Sequence, residues 1–135
     1  MVTPMRCVRL GALAACLSAL SGAAWAHHSY AMFDTSGTKT VSGTVAKLEW
    51  ANPHAFIWVY VPSREKPGTY DVWGFENGSP SVLQGHGWNK DVLKAGDKIA
   101  VEYWPLRDGS IGGHCEKVTL PDARVLQCPN SIARP

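Results

Sequence analysis

Between Thr38 and Cys128 the chain repeatedly alternates apolar and polar residues with a period of two, the pattern of strands that bury one face. Val41, Gly43 and Val45 interleave with Ser42, Thr44 and Ala46, which predicts a strand over Thr38 to Glu49 with Gly43 marking a bend or bulge. Asn52-Pro53 is a turn signal. Ala55 to Val61 predicts a second strand, with Ile57, Val59 and Val61 on one face and Phe56, Trp58 and Tyr60 on the other. Tyr70 to Glu76 predicts a third, with Tyr70, Val72 and Gly74 opposite Asp71, Trp73 and Phe75. The alternation then breaks. Asn77-Gly78-Ser79-Pro80 reads as a helix start, with Ser79 as N-cap and Pro80 in the first turn of a short helix reaching Gln84. Asn89 or Lys90 to Leu93 predicts a further helical turn, closed by Gly96. Asp97 to Trp104 is a fourth strand with Ile99, Val101 and Tyr103 on one face. Cys115 to Leu120 and Arg124 to Cys128 form a hairpin about Pro121-Asp122-Ala123.

Three strands, a short helix and then further strands is the order of a small all-β, OB-like Greek-key barrel; the alternative is a small β-sandwich. In a barrel only one face of each strand turns inward. Phe56, Trp58 and Tyr60 therefore stay outside if Ile57, Val59 and Val61 fill the interior, and Trp73 from the next strand is expected to extend them into an aromatic ligand face.

The segment before the barrel changes the picture of where the protein acts. Arg6 and Arg9, an apolar run from Leu10 to Ala23, and the small-x-small triplet Ala24-Trp25-Ala26 predict a signal peptide over residues 1–26 and a single domain over 27–135. The run is too short for a stable membrane span, which takes about 20 apolar residues. The expected location is periplasmic or secreted, the alternative being a lipoprotein anchored at Cys16. Losing the leader removes two of the 13 basic residues and none of the 11 acidic ones, leaving a neutral domain with no electrostatic footprint for nucleic acid.

Export makes Cys115 and Cys128 candidates for a disulfide. A two-residue hairpin loop at Pro121-Asp122 sets them directly opposite one another, within bridging reach. A three-residue loop with a bulge shifts the partners by one; that bulge favours glycine, and the residue there is Ala123.

Cleavage after Ala26 exposes His27-His28-Ser29-Tyr30. An N-terminal histidine offers an α-amine and an imidazole on one residue, both able to bind metal near neutral pH, and a planar nitrogen set suits Cu(II). One residue does not complete a site. His54, His86 and His114 are the candidates to complete it, His28 is a further candidate ligand, and Tyr30, Met32 or an Asp are extras. The spacing matches no recognised metal motif. Glu49, Asp71, Glu76 and Asp108 are available to pair with a histidine, yet no nucleophile elbow, triad order or phosphate loop is present, so binding is favoured over turnover. Two expectations stand side by side: a copper-type metal-binding protein built on His27, and a metal-free module that binds a saccharide or protein partner on the aromatic face.

The motifs Ala26-His27-His28-Ser29, Asn52-Pro53-His54, Gly87-Trp88, Leu93-Lys94-Ala95-Gly96-Asp97 and Pro105-Leu106-Arg107-Asp108-Gly109 together resemble those of a family of small exported bacterial proteins of unknown function. The resemblance spans nearly all of the chain after the leader. It implies a secreted single domain, brings no activity with it, and counts His27, His28 and His54 among the family's motifs. Where that family typically has Pro-Asp-Gly, this chain has Pro121-Asp122-Ala123.

Overall fold

The computed structural model describes residues 28–129; the segment expected to be a leader, the expected cleavage site and His27 lie outside them. The chain divides after Ala31, and the single turn α1 (His28–Ala31) belongs to the preceding unit. From Met32 onward the described residues form six strands and the helix α2 (Pro80–Gln84). The strands are β1 (Lys39–Glu49), β2 (Phe56–Pro62), β3 (Tyr70–Glu76), β4 (Lys98–Pro105), β5 (Gly113–Thr119) and β6 (Val125–Gln127). The sheet order is β3-β2-β1-β4-β5-β6, and a parallel pairing of β3 with β5 closes the first five strands into an OB-like barrel. Among the described residues no helix is long and apolar enough to cross a membrane.

β1 carries the closure because it serves both halves. Lys39 to Thr44 pair with β4, and Thr44 to Glu49 pair with β2. Gly43 sits at the bend, where a Cβ would lie 2.5 Å from the Tyr60 carbonyl oxygen, so only glycine lets the two strands approach. The bulge itself falls just beyond, between Val45 and Lys47. Inside the barrel, Val45, Ile57, Val59, Val61, Phe75, Ile99, Val101, Tyr103 and Val118 form the core. A buried Val, Ile or Phe contributes about 1.5–3 kcal/mol.

Ser79 and Pro80 start α2 as the sequence predicts, and the helix plugs one end of the core through Leu83. Gly87, at φ +84°, then turns the chain so that Trp88 enters the core and donates its indole N–H to the Gln127 carbonyl at 2.7 Å. The helical turn expected over Asn89 to Leu93 does not form. The segment is a turn held by Val92 N–H on the Asn89 carbonyl and Asp91 N–H on the Asn89 side chain, because Leu93 is the apolar anchor and a single turn gains little cooperative hydrogen bonding.

The hairpin has the longer loop. Leu120 N–H donates to the Arg124 carbonyl, so Pro121, Asp122 and Ala123 form a three-residue turn with Ala123 left-handed at φ 67°. Thr119 then faces Val125, and the Cys128 N–H reaches the Glu116 carbonyl rather than Cys115. The bridge forms nonetheless, with Cys115 and Cys128 Cα atoms 5.6 Å apart. A bulge in β5 accounts for it. Glu102 pairs with Lys117 while Tyr103 pairs with Cys115, so Glu116 is an extra residue that turns Cys115 inward beside Val118.

Candidate functional site

The β3–β5 seam gathers the polar side chains that the sequence marks for chemistry. Gly112, just ahead of β5, and Gly113, its first residue, let the chain lie close to β3 and to β4 in turn. A Cβ on Gly112 would meet the Gly74 carbonyl at 2.5 Å, and one on Gly113 would run into the Trp104 carbonyl. With neither present, Phe75 pairs with Gly113 and Glu76 with His114. His54 arrives from the β1–β2 loop, which contains the cis Asn52–Pro53 peptide. Its neighbour Ala55 is fully buried and clamped: its N–H donates to the Gly78 carbonyl, and its own carbonyl accepts from Asn77 N–H. That clamp carries His54 to Glu76, where Nδ1 lies 2.5 Å from Oε1.

The two histidines sit in different surroundings. The His54 side chain is about a third exposed, and the Glu76 side chain only 14%. Burial pushes the Glu76 carboxyl up, and the adjacent His54 opposes that rise. His114 is enclosed at 1% exposure, with the Phe33 ring edge-on at 5.5 Å and the Trp104 ring at 5.6 Å. Desolvation drives its pKa down to about 4, a hydrogen bond involving the Cys115 backbone works the other way, and a charge on His54 would depress it further. His114 is therefore neutral at pH 7. Its Nδ1 stands 3.9 Å from Glu116 Oε1, and a neutral imidazole makes no ion pair at that distance.

The structure brings His54, Glu76 and His114 to one seam. It does not bring every candidate there. His86 is exposed just past α2, with Nδ1 3.1 Å from the Val82 carbonyl. Met32 is exposed, and its carbonyl accepts the Arg107 N–H. Of His28 only the backbone that opens α1 is described. Among the described residues no three His, Cys, Asp or Glu side chains stand close enough together to hold a metal ion.

The aromatic face differs from expectation in one member. β2 and β3 pair Ile57 with Phe75, Trp58 with Gly74 and Val59 with Trp73, so Trp73 lies on the inner face against Phe75 and Tyr103. Residues opposite one another across a ladder share a face, and this register couples odd positions to odd. Phe56, Trp58 and Tyr60 do face outward, but two of them are engaged. Phe56 stacks on Trp58 with centroids 5.8 Å apart, Trp58 donates to Glu49 at 2.9 Å, and Lys47 lies over its ring. Glycine at 74 leaves room for that indole. The open part of the face is Tyr60 with Tyr70, 45% and 63% exposed, beside a groove of about 550 Å³ lined also by Ser42, Thr44 and Lys98.

In the sequence Glu76 is one of four acids able to pair with a histidine, with nothing to choose among them or to name the histidine; the choice follows from the Ala55–Asn77 clamp. The cover over His114 was also missed. Its signal lies in Trp104, which falls beside His114 once the β5 bulge is placed.

No curated protein and no solved structure matches the sequence. The model of one family does match, over residues 14–115, most of the chain. The chain belongs to this family, the family of unknown function DUF6152.

Proposed function

We propose that the protein is an exported, non-catalytic binder of a Cu(II)-type ion, serving metal carriage or sensing. The α-amine and imidazole of His27, freed by cleavage after Ala26, are completed by His54 or His114. The observation that carries the reading is the meeting at one seam of two histidines distant in sequence, one of them held neutral and so a ready donor at pH 7. Amine and imidazole nitrogens in a plane match the tetragonal preference of Cu(II). The test uses mature protein whose N-terminus is verified by mass spectrometry. It takes up one equivalent of Cu(II), and one extra residue ahead of His27 weakens uptake by orders of magnitude. Equal affinity with the added residue overturns the reading.

A second reading rests on the exposed pair Tyr60 and Tyr70 and the hydroxyl-lined groove beside them. Rings with hydroxyl and ammonium groups nearby suit stacking on a saccharide. On that reading Tyr60→Ala abolishes glycan binding, and a chelator leaves it unchanged.

A further inference from the structure

We propose that Glu76 is a positioning residue that prepares His54 as a metal ligand: its carboxylate accepts a hydrogen bond from Nδ1–H and so keeps Nε2 as the bare donor. This rests on the metal-binding reading above and extends it to a residue outside the ligand set.

The geometry is direct. A neutral imidazole carries one N–H, and the hydrogen bond made by one nitrogen decides which nitrogen is left to bind an ion. His54 Nδ1 faces Glu76 Oε1 at 2.5 Å, a charge-assisted contact. Both residues hang from the same backbone clamp, since Ala55 follows His54, Asn77 follows Glu76, and Ala55 and Asn77–Gly78 exchange main-chain hydrogen bonds. The carboxylate is also confined. Glu76 lies opposite Phe56 on β2 and beside His114 on β5, with 14% of its side chain exposed. A surface pair of two long, solvated side chains exchanges partners freely; this one is fixed at both ends. The exposed third of the imidazole leaves the ring reachable from outside the barrel.

The test compares wild type, Glu76→Gln and Glu76→Ala, each as the full mature chain with its native N-terminus and its disulfide intact. Glutamine keeps a carbonyl acceptor for Nδ1–H, and alanine removes it. Two quantities are read: the His54 tautomer in metal-free protein, from two-bond ¹H–¹⁵N correlations, and the affinity for Cu(II). The expected wild type shows Nδ1–H with Nε2 bare. Glu76→Ala shows mixed tautomers and binds Cu(II) about 10–100-fold more weakly, the usual cost of losing such an outer partner. Glu76→Gln recovers most of both. An Nε2–H wild type, or a Glu76→Ala protein whose tautomer changes while its Cu(II) affinity does not, overturns the positioning role. A wild type that shows the Nδ1–H form but takes up no Cu(II) instead overturns the metal-binding reading and the ligand role of His54 with it, leaving only a structural hydrogen bond.

Discussion

Replacing Cys115 and Cys128 together by alanine probes how the hairpin is held. The bridge joins residues 13 apart in sequence. In the chain-entropy description a cross-link over a loop of that length removes freedom from the unfolded chain worth about 3 kcal/mol. Packing adds to this, because Cys115 is 0% and Cys128 3% exposed, and both belong to the core. Deleting two buried sulfurs costs roughly another 1–2 kcal/mol, by analogy with small core truncations. The expected total is about 4–5 kcal/mol. A domain of this size loses about 4–8 °C per kcal/mol, so the midpoint should fall by about 20 °C or more. Thermal unfolding followed by circular dichroism reads it, and wild type under reductant supplies a second arm. Reduction alone keeps the sulfurs packed, so it should show the cross-link's share, about 3 kcal/mol. A shift below about 5 °C in both arms would refute the bridge as a staple of the folded hairpin.

Further predictions concern single residues. The folded-state pKa of His114 lies at about 4, below the ordinary imidazole value of 6.5, so the unfolded chain takes up this proton first as pH falls. For metal-free protein the stability tied to His114 is complete above pH 6.5 and is lost progressively down to about pH 4, by about 3 kcal/mol for a shift of that size. Denaturant titrations across that window should show the loss, and His114→Gln should lack it; the same slope in the variant would assign the effect elsewhere. Ala123 adopts φ 67°, a conformation costing an L-residue about 1–2 kcal/mol, of which glycine would recover roughly half after its greater unfolded-state entropy. Ala123→Gly should therefore raise the melting midpoint by a few degrees, and an unchanged or lower midpoint contradicts the turn geometry.

Much of the fold was legible because alternation is a local property. The β3 limits follow from Tyr70 to Glu76, and Ile99, Val101 and Tyr103 turn inward as a two-residue period requires. What escaped depended on how strands meet. Trp73 alternates with Tyr70 and Val72 in either register, and only its pairing with Val59 shows that it faces the core. The bridge was expected from the right cysteines in a register off by one, because neither the left-handed Ala123 nor the bulge at Glu116 leaves a mark in the sequence. For the site, His54 and His114 were visible as residue types at strand ends. Their convergence was not, since it comes from the parallel β3–β5 pairing and the bare backbone of Gly112 and Gly113. The enclosure of His114 by Phe33 and Trp104 is likewise a tertiary outcome.

The central proposal is that the barrel's imidazoles complete a site begun by His27, the first residue if cleavage follows Ala26 as expected. Its most direct measurement is electron spin-echo modulation of Cu(II) on the mature protein, set beside the free peptide His-His-Ser-Tyr, since the modulation counts bound imidazoles. The account predicts at least one imidazole in the protein beyond those the peptide supplies, lost in either His54→Ala or His114→Ala. A protein spectrum identical to that of the peptide, unchanged by both substitutions, would contradict it.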